Sequence, residues 1–469
     1  MTFREDAGVT AALLQDFADR ALRREGPVLV QPPLAELTGR LELHQLIEDG
    51  GLEGRRLAGF LERYLAASTR LHHPRYMAHQ VAVPEPQGAL AALVDGFTSN
   101  PMAIYEMGPA AAAVENAVLD WMLGRIGWGG HDGGSPPAGG VLTHGGSLAN
   151  LTAMLCARAE VAPSAWRDGT PQGLVLVCTP GSHYSIARAA AILGLGASNV
   201  RHAPTDDLGR LDAESLPGWL DGLHAEGKRP LAVVANGCST ALGLYDSIGE
   251  IASVCRSRGV WLHVDGAHGA SVLLSPRLRH LLAGIEHAQS VVWDGHKMLR
   301  SPLLAAAVLV RDARSLDGAF QQDASYLFHD KEKPGIDALH RTVECTKAAL
   351  GLKIFFALAH HGERAIAAHV ERQTDLATAA AALLRSTPSI EVAAEPQSNI
   401  VCFRVAGSDE LQLDIRKHLT GRGDFYVSTA EVLGRRWLRL ALMNPATTID
   451  DVEALAVSCL ALAAGAARP

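Results

Sequence analysis

Ser290-Val-Val-Trp-Asp-Gly-His-Lys297 is an apolar run that ends in a histidine–lysine pair. Its β-branched and aromatic residues favour a buried strand, and Asp-Gly breaks that strand into a turn. The turn then stands at the strand's carboxyl end, where open α/β sheets bind ligands. A free lysine amine, with a pKa of about 10.4, is protonated and non-nucleophilic at neutral pH. Linked to an aldehyde as a Schiff base it becomes a cofactor carrier. Taken alone, the same residue is equally well an idle lysine on a solvated turn.

Working outward, Val260-Trp-Leu-His-Val-Asp-Gly-Ala-His268 is a second strand, ending in Asp265 and two small residues. A carboxylate there can keep a pyridine-type ring nitrogen protonated, which makes the ring an electron sink. Ala267 leaves room for a flat ring against that face. Standing alone, an Asp at a strand end is more often a turn cap. Thr143-His-Gly-Gly-Ser-Leu-Ala-Asn150 opens a helical pattern. Gly145 and Gly146 permit close backbone approach and Ser147 adds a hydroxyl, a suitable cradle for a phosphate at a helix start. The same turn is also an everyday helix cap. Pro180-Gly-Ser-His-Tyr-Ser185 follows the strand Leu174–Cys178, and His183 there can stack on an aromatic ring.

Strand-like runs at Leu174–Cys178, Leu231–Ala235, Val260–Val264, Ser290–Trp293 and Ala305–Val310 alternate with helical stretches such as Tyr184–Leu193 and Ile248–Arg258. That alternation implies a mostly parallel sheet covered on both faces. Gly129–Gly140 reads as a loop. A long helix around Ala365–Leu384 leads to strands at Ile390–Ala394, Ile400–Val405 and Trp437–Met443, with helices at Leu411–Thr420 and Ile449–Ala464. The expected division is a helical segment over 1–90, an α/β domain over 91–384 and an α+β domain over 385–469.

The 469 residues suit two or three domains at roughly 100–200 residues each. With 42 basic and 50 acidic residues the net charge is −8, and neither a basic patch nor a charge block points to nucleic acid or an anionic membrane. The start, Met1 to Arg20, lacks an apolar signal core, and no apolar run reaches the ~18 residues of a membrane span. Seven scattered cysteines without a CxxC pair suggest reduced thiols in the cytoplasm and no cysteine-based metal site.

In order along the chain these segments resemble the group II pyridoxal-phosphate-dependent decarboxylases, which act on glutamate, cysteine sulfinate, diaminobutyrate and aromatic amino acids. The likeness runs from about His72 to Pro445. It includes His73-Pro-Arg-Tyr-Met-Ala-His79, Asn100 to Pro109, Gly145-Gly-Ser, His183-Tyr-Ser, His263-Val-Asp-Gly-Ala-His268, His296-Lys297, Ser325-Tyr-Leu-Phe328 and Leu438 to Pro445. The resemblance implies a type I aminotransferase-like α/β fold binding pyridoxal 5'-phosphate, with a smaller C-terminal domain. A homodimer wrapped by its N-terminal helices is also implied.

Residue by residue, the resemblance makes Lys297 the Schiff-base lysine and Asp265 the partner of the ring nitrogen. His183 stacks on the ring and Ala267 packs on its other face. Gly146, Ser147 and His296 fall on the phosphate side, with Thr240 a polar neighbour of the cofactor. Tyr326 matches a catalytic-loop tyrosine that protonates Cα. Arg439 grips the α-carboxylate of an L-amino acid, and His79 contacts substrate. No metal is implied.

Some positions depart from the family pattern. Gly237-Cys-Ser-Thr240 replaces a usual Ala-Gly-Thr-Thr, His268 replaces a frequent Trp, and Met298 to Leu304 lacks a polar Gln-Cys-Ser. These changes leave the cofactor reading intact and the substrate side chain open. An oxygen-dependent aldehyde synthase, a transaminase or lyase, and a cofactor-stabilised binding protein stand as alternatives. Tyr326 argues against the first, while Lys297, Asp265 and His183 together argue against the last.

Overall fold

The structure, a computed structural model, describes residues 2–129, 137–321 and 335–466; Tyr326 and its neighbours from Ser325 to Phe328 lie outside the described residues. By contacts the chain forms two units, one of residues 84–375 and 396–399, the other of 1–83, 376–395 and 400–469. The sequence reading expects three consecutive segments, 1–90, 91–384 and 385–469. Side-chain pairs explain the grouping of the two chain ends. Arg24 donates to buried Asp451 at 3.1 and 2.9 Å, and Asn444 donates to the Leu71 carbonyl.

The larger unit is built on a seven-stranded sheet of β1 (Gly139–Thr143), β2 (Leu174–Cys178), β3 (Val200–His202), β4 (Arg229–Asn236), β5 (Trp261–Asp265), β6 (Ser290–Asp294) and β7 (Ala306–Val310). Their order is β1-β7-β6-β5-β4-β2-β3. The four pairings from β3 through β2, β4 and β5 to β6 are parallel. The helices Ser185–Ile192, Leu216–Ala225 and Ile248–Arg258 supply crossovers between them. The turn from Gly295 to Ala305 is too short for a crossover helix, so β7 returns antiparallel to β6 and pairs antiparallel with β1. Every residue of β1, β2, β5, β6 and β7 is buried, as a sheet covered on both faces requires.

Two strands of this sheet escape the sequence pattern. β1 begins inside the stretch that composition reads as a loop. A Cβ on Gly140 would come within 2.8 Å of the Val308 carbonyl and 2.9 Å of Leu309, so close packing against β7 demands the glycine. β3 has only three residues and none is buried, which leaves no apolar signature to find.

The other unit holds an antiparallel sheet in the order β10-β11-β9-β8, from β8 (Ile390–Val392), β9 (Ile400–Val405), β10 (Ser428–Val432) and β11 (Arg435–Ala441). The helices Asp409–Arg422 and Ile449–Ala466 accompany it, and its core joins Phe403, Leu438 and Leu440 to Ile415, Leu419, Val452 and Leu455. Among the described residues no helix is long and apolar enough to cross a membrane.

Candidate active site

Parallel neighbours place the carboxyl ends of β4, β5 and β6 side by side, with Asn236 opposite Asp265 and Asp265 opposite Val292. From the end of β6, Lys297 Nζ reaches Asp294 Oδ2 at 3.0 Å, a carboxylate with only 2% of its side chain exposed. Burial pulls the Lys297 pKa down, but the Asp294 and Asp265 carboxylates outweigh it and the net displacement is upward. His296 Nε2 lies 3.6 Å from the same Asp294 oxygen, and its Nδ1 is 2.7 Å from the Ala305 carbonyl.

Asp294 also meets the helix Gly146–Val161. A Cβ on Gly146 would stand 2.9 Å from both Asp294 oxygens, so a side chain here would push that carboxylate aside. Gly145, the residue before the helix, has φ +107°, a conformation glycine adopts without strain. The first amides of this helix lack intrahelical partners, and half-buried Ser147 occupies its first turn. Asp294 Oδ1 has no hydrogen-bond partner among the described residues.

At the end of β5, Asp265 accepts from the Ala267 amide at 3.2 Å and from Asn150 Nδ2 at 3.0 Å. Asn150 Nδ2 also donates to Ser185 Oγ at 2.8 Å, and Ser185 Oγ is 2.8 Å from His183 Nδ1. Burial lowers the His183 pKa below the ordinary histidine value; Asp265 opposes this, and Lys297 adds to it. Ala267 is buried beside Asp265, and Thr240 is half-buried in the segment after β4. Gly269 has no room for a side chain, since a Cβ would fall 2.3 Å from the Gly237 carbonyl.

In the smaller unit, β11 carries Arg439, 6% exposed, whose guanidinium donates to the Ala78 carbonyl at 3.3 Å and to Gln80 Oε1 at 3.0 Å. His79 Nε2 lies 3.0 Å from the Tyr426 hydroxyl, and burial followed by the Arg439 charge lowers its pKa. Gly146, Ser147, His183, Thr240, Asp265, Ala267, His296 and Lys297 thus belong to one unit, and His79 and Arg439 to the other.

Asn150 and Asp294 were not singled out from the sequence. Both stand inside motifs that were, Asn150 at the end of the Gly-Gly-Ser stretch and Asp294 three residues before the lysine. A polar residue on an otherwise apolar helix face or strand end was the available signal.

A mostly parallel sheet that gathers a half-buried lysine, a buried carboxylate and a half-buried histidine at its carboxyl edge defines a type I aminotransferase-like enzyme of pyridoxal phosphate. Residues 56–406 match the pyridoxal-dependent decarboxylase conserved domain. The chain is 31% identical over 371 residues to human cysteine sulfinic acid decarboxylase, covering 77% of this chain and 74% of that protein. It is 26% identical over 429 residues to L-2,4-diaminobutyrate decarboxylase of Acinetobacter baumannii, covering 86% and 83%. The crystal structure of mouse CSAD superposes with a TM-score of 0.88 at 26% identity, covering 98% of each chain. The chain belongs to the pyridoxal-dependent decarboxylase family, and its cofactor is pyridoxal phosphate.

Proposed function

We propose that this protein removes the α-carboxylate of an L-amino acid as CO2, leaving the amine, with Lys297 as its cofactor-bearing residue. The observation that carries this reading is that Lys297, Asp265 and His183 end or follow three strands of one sheet, with Asn150 and Ser185 bonding Asp265 to His183. The residues suit the cofactor. Lys297 offers an amine for its aldehyde, Asp265 a carboxylate for its ring nitrogen, and the Gly146–Ser147 helix start a seat for its phosphate. Pyridoxal phosphate bound here supplies a protonated ring that accepts the electron pair left as CO2 departs.

The chain's own groups do the rest. The Asp265 carboxylate is fixed by Asn150 and the Ala267 amide, and would hold a bound ring nitrogen protonated. His183 and Ala267 would hold the ring of the cofactor between them, and His296 and Thr240 would offer it polar groups. Arg439 binds the substrate carboxylate through its planar fork, and His79 touches the substrate. Tyr326 delivers the phenol proton to Cα once CO2 has left; a neutral phenol can donate at physiological pH. Lys297, whose amine would hold the cofactor, stands beside Asp294 at 3.0 Å.

Purified enzyme supplied with carboxyl-labelled L-amino acids tests this reading. Release of labelled CO2 with one amine per turnover supports it, and conversion without CO2 release excludes it.

A homodimer is the proposed assembly, its N-terminal helices wrapping the partner. On the helix Pro86–Thr98, Leu90, Leu93, Val94 and Phe97 form one apolar stripe at helical spacing, and Phe97 is 70% exposed. None of the seven cysteines forms a disulfide and six of them are buried, in keeping with a cytoplasmic enzyme.

A further inference from the structure

A continuous hydrogen-bonded chain, buried as far as Ser185, runs behind the site. Trp261 Nε1 donates to Ser290 Oγ at 2.8 Å, and that oxygen is 2.8 Å from His263 Nδ1. His263 Nε2 is 2.9 Å from Asn150 Oδ1. From Asn150 the chain forks to Asp265 and, through Ser185, to His183.

Only one assignment of protons satisfies every link. An ionised carboxylate accepts and cannot donate, so the Asn150 atom 3.0 Å from Asp265 Oδ2 is the amide nitrogen. Its oxygen therefore faces His263 Nε2, which must carry a proton. His263 is wholly buried and burial drives its pKa down to about 4, so it is neutral and its Nδ1 accepts the Ser290 hydroxyl proton. On the other branch, Ser185 Oγ accepts from Asn150, and the Ser185 amide points at His183 Nδ1 at 3.3 Å. Nδ1 of His183 is thus an acceptor, the Ser185 hydroxyl donates to it, and the ring proton sits on Nε2.

We propose that Asn150 is a positioning residue that orients the Asp265 carboxylate and the Ser185 hydroxyl together, so that His183 enters the reaction as its Nε2–H tautomer, a donor at Nε2. This rests on the roles given to Asp265 and His183 above. Asn150 touches neither cofactor nor substrate in this scheme. It couples the residue under the ring nitrogen to the residue over the ring face through one planar amide.

The test has two parts on the full-length enzyme. Nitrogen NMR of the holoenzyme labelled at histidine side chains, with His183 and His263 assigned from His183→Asn and His263→Gln variants, reads the tautomers. Both should be protonated at Nε2; a proton on Nδ1 of either overturns the chain. Asn150→Leu should weaken pyridoxal phosphate binding by about tenfold and alter the visible absorbance of the bound cofactor, since Asp265 loses a charge-assisted donor. Asn150→Leu with unchanged affinity and absorbance, beside an Asp265→Ala variant that loses the cofactor, overturns the inference alone. An Asp265→Ala variant that binds cofactor normally overturns the underlying reading instead.

Discussion

Lys297 Nζ and Asp294 Oδ2 stand 3.0 Å apart, an ion pair whose carboxylate is almost completely buried at the end of β6. The pair holds the lysine protonated, although the same amine must be neutral to attack an aldehyde. Asp294→Asn should remove the largest of the charges that raise the Lys297 pKa. Each pKa unit by which the lysine falls raises its neutral fraction at pH 7 about tenfold. Reconstitution of the cofactor-free variant with pyridoxal phosphate, followed by absorbance, should be faster than wild type at pH 7. An equal or slower rate would mean that Asp294 does not govern the amine.

Arg439→Lys keeps the charge and loses the fork that matches a carboxylate. The expected result is a fall in kcat/KM equivalent to about 1.5–3 kcal/mol, the worth of a hydrogen bond to a charged group. Near-normal kcat/KM would confine Arg439 to holding the Ala78 carbonyl and Gln80.

Tyr326→Phe should bind cofactor as wild type does while its amine production drops by about 10²–10⁴-fold, the usual range for loss of a general acid. Aldehyde and ammonia should appear in air and diminish under nitrogen. An unchanged rate of amine formation would assign the proton to another group.

His369 is buried, and neither ring nitrogen has a hydrogen-bond partner among the described residues. Burial, with Arg300, Arg372 and His361 adding to it, pushes its pKa down to about 3. The folded value lies below the unfolded one, so the neutral ring favours the fold above about pH 6.5. That contribution is lost as pH falls toward 3, at up to about 1.4 kcal/mol per pH unit. His369→Leu should flatten the decline of stability between those limits and raise stability near neutrality, as read by denaturant titration. An unchanged slope would show that His369 is protonated in the fold.

Much of this site was legible because its chemistry is local. Ser290 to Lys297 and Val260 to His268 each carry a whole strand and its terminal functional residue in one run. The pattern of apolar runs and crossover helices was enough to call for a parallel sheet. What stayed hidden depends on residues far apart in the chain. Asn150 becomes meaningful only when folding sets it beside His263 and Asp265, more than one hundred positions away. Gly146 reads as a flexible turn until Asp294 is seen to fill the space its side chain would need. The glycines of β1 mimic a loop for the same reason.

The attachment of the cofactor to Lys297 is the claim on which every other role depends. Among the described residues Lys228, Lys347 and Lys353 also lie in this unit, and the last two are committed elsewhere. Lys347 is fully buried, bonded to Glu115 and 2.7 Å from the Leu142 carbonyl, while Lys353 donates to the Leu303 carbonyl at 3.0 Å. Borohydride reduction of the holoenzyme followed by peptide mapping should place the pyridoxyl group on Lys297 alone. Label on Lys347 or Lys353 would contradict it.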